Sequence, residues 1–581
     1  MPEYLAPGVY VEEVSYRAKS IEGASTSIAS CLGPTRYGPV GGEPELLTSF
    51  ADFERIFGGI DNVGFEAAGG GIDFDQINYM AHSVRAFFDN GGTKLYVTRV
   101  HQAREGANAA ETEALNGGRA STASADPAVT LQARFPGQAG NMRVVISVLA
   151  TPNLLVPDTN ASDPQVRGQV RGTREHDVLL VRDASSPLGP IEEGLYDVIL
   201  LPDRTLGIRV GSPLEPTKLT YLDPAEVSVH RVVLNVRVTR LGRFEDEQVW
   251  TELPPHPDAR NSMMEYFTMQ PSSRLRYLTV PFAIVSEDDE ILGSGARLVD
   301  ALLGDGVINA LNAAFDGSGP RPGDPDLEHE YHLTGGADGV LPNAESYRGQ
   351  EATSADDVST GLVTFEDIDE ISMVAAPGHN AEGTDLLRSA QIVQSLITHC
   401  QILMRYRVAI LDAPQNQIVS EVREYRSQFD STHAALYYPW ITTIDPLDPE
   451  GRREIELPPS GFVAGIYART DVLHGVFKAP ANEVVLGAIG FETLLNKRQQ
   501  DVLNPEGINC FRFFEGRGYR LWGARTISSD PEWKYISVRR YFAYLEHSID
   551  KGTQWAVFEN NGDRLWANIR LTVEDFLFNE W

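Results

Sequence analysis

Short apolar segments alternate with helix-like segments between residues 371 and 441, and this alternation constrains the fold more than any other feature of the sequence. The apolar segments are ISMVAAPG (371–378), RVAILDAP (407–414) and HAALYYPWI (433–441). Helical periodicity fills the gaps, over about 384–405 and through IVSEVREYRSQ. Continuous apolar strands joined by helices are typical of a mostly parallel sheet that is covered on both faces. The sequence therefore predicts an α/β (α+β) fold around such a sheet.

The first hundred residues predict a β-α-β-like opening. LLTSFADFERIFGG has the pattern of a strand end, a helix N-cap and a short helix that ends at Gly58 and Gly59. QINYMAHSVRAFFDNGG places Ile77, Met80, Val84 and Phe87 on one helical face. KLYVTRV (94–100) then has the composition of a buried strand.

The character of the sequence changes after His101. A linker of small residues follows, and strand-like runs separated by Gly, Pro and Asp dominate from about 128 to 285. An acidic, mixed connector continues to about residue 334. We therefore expect a β-rich region inserted into the α/β fold.

The N-terminus carries an isolated strand pattern. In APGVYVEEV, Val9, Val11 and Glu13 alternate with Tyr10 and Glu12. The segment up to Val14 has no obvious local partner. Two interpretations stay open: the strand pairs within its own domain, or it adds to the sheet edge of another subunit.

The charge of the chain argues against nucleic acid as a partner. The sequence has 49 Lys+Arg against 81 Asp+Glu, a formal net charge of −32. This field repels phosphate backbones and anionic membrane surfaces. The segment 508–540 is an exception, because its basic residues outnumber its acidic ones. A basic strip on an acidic protein predicts a defined contact surface, unless its arginines pair with local carboxylates.

Cysteine usage and hydropathy indicate where the protein is made. Its three cysteines (Cys31, Cys400 and Cys510) are far apart and form no CxxC motif, which favours a reducing compartment. The N-terminal sequence lacks signal-peptide features, and no apolar run approaches the length of a membrane span. We expect a soluble protein that is made and folded in the cytoplasm and does not insert directly into a membrane.

No segment matches a metal-binding, phosphate-binding or catalytic motif well. GDPDLEHEYH (323–332) matches neither HExxH nor a calcium loop, so it predicts a solvated acidic loop. LTGGADG and EGRGYRLWG match no phosphate-binding loop. PPSGFVAG has Pro458 where a nucleophile elbow needs glycine before Ser460. We expect no enzyme activity, cofactor or metal; a hydrolase-like α/β enzyme with a β-rich insertion is the alternative.

Several motifs, in order, are those of one family. They are PGVYVEEV (7–14), GPTRYGP (33–39), FFDNGGTKLYVTRV (87–100), FPGQAGNMRVVI (135–146), LTGGADG (333–339), AAPG (375–378), YYPW (437–440), PPSGFVAGIYARTD, GVFKAPANE and INCFRFFEGRGYRLWGARTISSDPEWKYISVRRYFAYLEHSIDKGTQWAVFENN. With them, the chain resembles the tail sheath protein family of contractile phages, R-type bacteriocins and extracellular contractile injection systems. The resemblance covers the first 100 residues and roughly 333–581, and it weakens through the insertion.

The resemblance implies a structural role without chemistry. Family members stack as rings or helices around a rigid inner tube, between a baseplate and a terminal cap. On a trigger they rearrange into a wider, shorter sheath and drive the tube through a target envelope. The implied partners are thus further copies of the chain, an inner tube protein, and baseplate and cap proteins, in a phage tail or phage-like particle.

The resemblance also implies a division of the chain. Residues 1–20 correspond to an N-terminal arm, with Val9, Tyr10, Val11, Glu12, Glu13 and Val14 as its inter-subunit strand. Residues 21–100 and 335–581 correspond to the two parts of the sheath core, and 101–334 to β-rich inserted outer domains. Family members continue past the position of Trp581 into a C-terminal arm. We expect a core that lacks this arm.

The segment CFRFFEGRGYRLWGART, with the helix after it, supplies candidate contacts with the tube or with a neighbour. We expect two strands joined by the turn EGRG, with the aromatic residues packed in the core. YISVRRYFAYLEHSID then predicts a helix with Ile536 or Val538, Phe542, Leu545 and Ile549 facing inward, and with Arg539 and Arg540 on a polar flank. The candidate contact residues are Arg517, Arg520, Arg525, Arg539, Arg540 and Lys551.

Overall fold

A computed structural model describes residues 20–66, 72–106, 116–159, 163–183, 193–210, 215–240, 246–304, 306–315, 327–354 and 357–581. The predicted arm strand, Val9 to Val14, lies outside these residues. The first segment (20–106) contains β1 (Ala29–Gly33), β2 (Glu45–Leu47), α1 (Phe50–Phe57), β3 (Val63–Glu66), β4 (Ile72–Gln76), α2 (Tyr79–Asp89) and β5 (Leu95–Arg99).

The middle segment (116–333) is rich in strands. Its elements are β6 (Ser121–Ala123), β7 (Val129–Ala133), β8 (Met142–Ala150), β9 (Leu155–Pro157), β10 (Gly168–Val170), β11 (Val178–Asp183), β12 (Gly194–Asp197), β13 (Ile199–Leu200), β14 (Leu206–Val210), β15 (Glu215–Lys218), β16 (Val227–Arg240), β17 (Asp246–Leu253), α3 (Met263–Phe267), α4 (Arg274–Thr279), β18 (Phe282–Ser286), α5 (Asp289–Leu292), α6 (Gly295–Leu303), α7 (Val307–Phe315) and β19 (Glu328–Leu333).

The last segment (334–581) alternates strands with longer helices. Its elements are α8 (Ala344–Arg348), β20 (Met373–Ala375), α9 (Leu386–Thr398), β21 (Val408–Asp412), α10 (Val419–Ser427), β22 (Ala434–Tyr438), β23 (Ile441–Ile444), β24 (Glu454–Leu457), α11 (Pro459–His474), β25 (Glu483–Val484), β26 (Gly490–Phe491), α12 (Lys497–Leu503), β27 (Ile508–Phe514), β28 (Gly518–Leu521), α13 (Ile536–Thr553) and α14 (Asp563–Glu580).

The main sheet joins the two ends of the chain. Its nine strands follow the order β2-β5-β1-β20-β21-β22-β27-β28-β25. Pairing is parallel from β5 through β27, and antiparallel at β2, β28 and β25. At the centre Ala29 pairs with Met373, so a strand of the first segment lies between a neighbour from its own segment and one from the last. The protein is a mixed α/β protein.

Helices cover both faces of the main sheet. Alternate residues along its strands belong to two separate apolar clusters. Cys31 and Ile410 pack with α2 and α11 on one face, while Leu32 and Leu411 pack with α9 and α10 on the other. This two-sided burial explains why the strand sequences are continuously apolar.

Two glycines allow α11 to lie directly on α2. A Cβ atom at Gly461 would come within 2.4 Å of the Ser83 carbonyl oxygen, and one at Gly465 within 2.5 Å of the Phe87 carbonyl oxygen. Any side chain at either position would force the helices apart. The glycines of PPSGFVAG therefore serve helix packing.

The middle segment has its own sheet and core. Strands β12-β11-β16-β8-β19 form its largest sheet, with β17 also paired to β16, and all pairings are antiparallel. The prediction of a solvated loop at 323–332 is wrong for its second half, because Glu328–Leu333 is a strand of this sheet. Its alternation of charged residues with Tyr331 and Leu333, both buried, is the period-2 pattern of a half-exposed strand.

The two ends of the middle segment meet. The Val340 backbone N–H donates to the Gln102 carbonyl oxygen (2.9 Å), and the Ala337 N–H donates to the Gly118 carbonyl oxygen (3.0 Å). The buried Asp338 carboxylate accepts from the backbone N–H groups of Gly64 (3.0 Å) and Gln138 (2.7 Å). The glycine-rich loop LTGGADG therefore ties the first, middle and last segments together.

Among the described residues, no single helix is long and apolar enough to cross a membrane. Taken together, α6 and α7 would be long and apolar enough by length and composition alone, but the two helices are bent by 94° relative to each other.

A buried carboxyl group at the end of β21 holds the start of α11. The Asp412 carboxylate accepts from the Ser460 backbone N–H (2.6 Å) and from the Ser460 hydroxyl (2.7 Å). Asp412 is 1% exposed, and burial raises the pKa of its carboxyl group to about 7. A raised pKa favours the neutral acid in the folded state, so its contribution is complete below the ordinary pKa near 4 and is lost as the pH rises through about 7.

We expect the substitution Asp412→Asn to flatten the pH dependence of stability. Between the ordinary pKa near 4 and the raised pKa of about 7, ionisation of Asp412 should make the free energy of unfolding fall by up to about 1.4 kcal/mol per pH unit. Asparagine does not titrate, and it retains hydrogen-bonding groups toward Ser460. Urea denaturation at several pH values measures the slope. Equal slopes for the two proteins would contradict this prediction.

Candidate assembly surface

The segment CFRFFEGRGYRL forms the predicted hairpin. Strands β27 and β28 pair antiparallel, with Phe514 opposite Gly518. Gly516 and Gly518 both have φ of +74° in the turn, a conformation that glycine adopts without strain. Strand β27 also pairs parallel with β22, and β28 pairs with the two-residue strand β25, where the main sheet ends. The hairpin thus extends the main sheet to one of its edges.

The prediction that the aromatic residues of this hairpin pack in the core is only partly right. Phe511 is fully buried, but Phe513 is 48% exposed. The Arg517 guanidinium lies over the rings of Phe514 (4.9 Å) and Trp522 (5.3 Å). One end of the hairpin therefore presents stacked aromatic and cationic groups at the surface.

The other predicted cations of the hairpin region are partly exposed. The Arg520 guanidinium donates to the carbonyl oxygens of Asn482 (2.6 Å) and Arg517 (3.0 Å). Arg525 lies over the ring of Tyr535 at 5.7 Å. Lys551 is exposed in the last turn of α13. Four of the six predicted cations are thus wholly or partly at the surface, although they form no single cluster.

The predicted orientation of α13 is only partly right. Ile536 is buried, as the expectation for Ile536 or Val538 required, and Leu545 and Ile549 are half-buried. However, Arg539 and Arg540, expected on a polar flank, are buried, and Phe542, expected inside, is 44% exposed. Each arginine has a carboxylate partner within the chain. Arg539 pairs with Glu546 (2.8 Å) and lies over the Trp533 ring.

Arg540 makes the stronger pair. Its guanidinium binds both carboxylate oxygens of Asp471 (2.9 and 2.5 Å), donates to the Thr26 carbonyl oxygen (3.0 Å) and lies over the Tyr467 ring (4.6 Å). The side chains of Arg540 and Asp471 are each 3% exposed. This pair joins α13 to α11, so the candidate contact set loses both Arg539 and Arg540.

Exposed apolar side chains surround the same helices. Rings of Phe477, Tyr541, Tyr544 and Phe576 follow one another at 6.2–6.5 Å, from the end of α11 across α13 to α14. Among the residues of α14, all of which the structure describes, only Phe576 is buried. The apolar C-terminal surface consists of Val472 (70% exposed), Leu473 (66%), Phe477 (67%), Leu577 (41%) and Phe578 (75%).

These side chains form two groups, one at and just after the C-terminal end of α11 and one near the end of α14, and exposed apolar groups of this kind are candidates for contacts with other proteins. Sequence reasoning missed this surface because it did not consider the residues that form it. One signal was present in the sequence: the apolar residues of α14 lie on several sides of the helix.

The residues considered for catalysis have structural positions. Ser460 is fully buried and donates to Asp412, so its hydroxyl is not open to a substrate. His399 is buried against Arg407, with 2.9 Å between Nε2 and the nearest guanidinium nitrogen. Lys478 pairs with Glu483 (2.6 Å), beside strand β25.

Comparison with known proteins decides the family. Residues 351–527 match the family model of the phage tail sheath protein central domain. This segment is therefore similar to a tail sheath central domain. It includes β20 to β28, so it supplies the larger part of the main sheet. The resemblance to tail sheath proteins is therefore confirmed.

Individual sheath proteins match different shares of the chain. The putative prophage major tail sheath protein of Pseudomonas aeruginosa (strain UCBPP-PA14) is 28% identical over 191 residues, which are 32% of this chain and 46% of that protein. The tail sheath protein of Vibrio phage KVP40 is 22% identical over 362 residues, 56% of this chain and 52% of that protein. The chain spans about half the length of these curated relatives.

Solved sheath structures match as well. The helical sheath of the anti-feeding prophage in its contracted state aligns over 99% of this chain and 83% of that chain, with 16% identity and a TM-score of 0.43.

We expect the substitution Arg540→Ala to destabilise the protein by about 3–5 kcal/mol, because it leaves the Asp471 carboxylate buried without a partner. Arg517→Ala is the control and should change the free energy of unfolding by less than about 0.5 kcal/mol. Urea denaturation measures both. The double substitution Arg540→Leu with Asp471→Leu should recover much of the loss. Equal free energies of unfolding for Arg540→Ala and Arg517→Ala would show that the ion pair between Arg540 and Asp471 does not stabilise the fold.

Proposed function

We propose that this protein is a structural subunit of a contractile sheath, which polymerises around an inner tube and contracts to drive the tube through a target envelope. The observation that carries the proposal is the match of residues 351–527 to the sheath central domain. The curated relatives, named as tail sheath proteins of phages and a prophage, support it. A phage tail or a phage-like injection particle is its proposed location, after synthesis in the bacterial cytoplasm.

The apolar C-terminal surface fits this role. A helical or stacked-ring polymer needs contacts between different patches of neighbouring copies, so that each addition exposes a new binding site. Val472 and Leu473 lie in the last turn of α11, Phe477 follows this helix, and Phe578 lies near the end of α14. Burial of such side chains against a neighbour would supply much of the association energy.

The proposed organisation follows the division made from the sequence. Residues 21–100 and 335–581 form the sheath core, 101–334 form the inserted outer domains, and 1–20 form the arm. The hydrogen bond between Gln102 and Val340 supports an insertion, because the chain leaves and re-enters at one place. We propose that the strand from Val9 to Val14 adds to a sheet edge of a neighbouring copy.

The surface cations are proposed contacts with the inner tube or with an acidic neighbour. Arg517, Arg520, Arg525 and Lys551 remain candidates. A chain with a net charge of −32 presents carboxylates to its own copies, which favours pairing of these cations across an interface. The remaining proposed partners are the baseplate and the terminal cap.

Contraction needs no chemistry in this proposal. Two packings of the same subunit that differ by a few kcal/mol suffice, because the difference is summed over many copies. We propose that the protein is not an enzyme and needs no cofactor. Nucleic acid and membranes are not among its proposed partners.

Electron microscopy of the native particle tests the proposal directly. We expect striated tubes in long and short forms that react with antibody against this chain. Particles that carry the chain but show no tubes would overturn the proposal.

A pair of variants tests the apolar C-terminal surface. We expect Phe578→Asp to weaken self-association of the purified chain by about tenfold or more in analytical ultracentrifugation, because it places a charge at an apolar contact. Val249→Asp is the matched control, since Val249 is a 56% exposed apolar residue on β17, in the middle segment. Equal weakening by both variants, or a wild-type chain that stays monomeric at every concentration, would contradict a role for this surface.

A further inference from the structure

Two histidines and an aspartate meet in the middle segment, and none of them belongs to the proposed assembly surface. His176 lies in the turn before β11, and His256 and Asp258 lie in the loop after β17. One ring nitrogen of each histidine and one carboxylate oxygen of Asp258 all lie within 4.8 Å of one another. The two imidazole rings are 4.6 Å apart between centroids.

The backbone around this cluster is held in place. The His176 N–H donates to the Val198 carbonyl oxygen (2.9 Å), and the loop of His256 is closed by Ala259 N–H (3.1 Å to the His256 carbonyl oxygen). Gly295, the first residue of α6, lies so close to this loop that a Cβ atom there would be 2.7 Å from the backbone nitrogen of His256. Side chains on a fixed scaffold of this kind are suited to bind an ion.

Further carboxylates surround the two rings. Asp197 lies near His256 and is itself held by the Ser294 hydroxyl and by the Ala296 N–H (3.0 Å). Glu175 approaches Nε2 of His176 at 3.9 Å. Metal-binding histidines are commonly oriented by carboxylates through their second nitrogen.

One hydrogen bond must change when an ion binds. Nδ1 of His256 accepts from the Asp258 backbone N–H at 3.2 Å, so the ring proton of the neutral form sits on Nε2. A metal at either ring nitrogen ends this hydrogen bond, because binding at Nε2 moves the proton to Nδ1, and binding at Nδ1 uses the lone pair that accepts the hydrogen bond. We therefore expect the Asp258 backbone to shift as its exposed carboxylate joins the ion.

We propose that His176, His256 and Asp258 form a binding site for a divalent transition metal ion, with Zn²⁺ the best match to two imidazoles and one carboxylate. Such a ligand set leaves the fourth tetrahedral position to water. The ion would link the turn before β11 to the loop after β17. Its expected effect is to stabilise the middle segment, whether or not the chain forms a sheath.

Metal titration of the purified, tag-free chain tests the proposal. After treatment with EDTA, we expect one equivalent of Zn²⁺ to bind in calorimetry, and Co²⁺ to give the visible absorption of a nitrogen- and oxygen-ligated ion. Zn²⁺ should also raise the midpoint of thermal unfolding, because it binds the folded state.

Three variants locate the ion. We expect His176→Ala and Asp258→Asn each to weaken Zn²⁺ binding by about tenfold or more. Both residues are at least partly exposed, so metal-free stability should be close to that of the wild type. His332→Ala is the control, because His332 is an exposed histidine that pairs with Glu330 (3.0 Å) on β19. Absence of binding in the wild type, or equal affinity in all four proteins, would overturn the proposal.

Discussion

Parallel pairing of β1 with β20 is the contact on which the rest of the structure depends. It brings Ala29 beside Met373 and so closes a loop of more than half the chain. This pairing places the helices and the two apolar clusters of the core. The helix α2 from the first segment packs against α11 from the last, and the two apolar clusters form on opposite faces of one continuous sheet. Closing so long a loop has a large entropic cost, which the burial of two full faces offsets.

Buried polar pairs fix how the helices sit on that sheet. Asp412 orients the start of α11 through Ser460, and Asp471 near the end of α11 holds Arg540 of α13. Because α13 uses its polar groups inward, some of its apolar groups face outward. The exposure of Val538 and Phe542 on α13 is therefore a consequence of how this helix is anchored.

Most of the central architecture could be predicted from the sequence, because its strands are continuously apolar and the helices between them have clear periodicity. The strands around Val374, Ile410 and Leu436, and the turn between β27 and β28, were of this kind. The orientation of α13 could not be predicted, since Arg540 is buried only because Asp471 lies opposite, 69 positions away in the chain. Strand β19 was mistaken for a loop because its outward positions are acidic or histidine. His176 and His256 were missed for the same reason as Asp471, since only the tertiary fold brings them together.

The hydrogen bond between Gln102 and Val340 has a consequence for how such a chain can change over time. Since the middle segment starts and finishes at one point, its length and content can vary while the strands on either side keep their register. A replacement of the whole segment would still have to keep the contacts that Pro136, Leu278 and Pro281 make with the main core. The same junction offers protein engineers a place to graft a foreign domain.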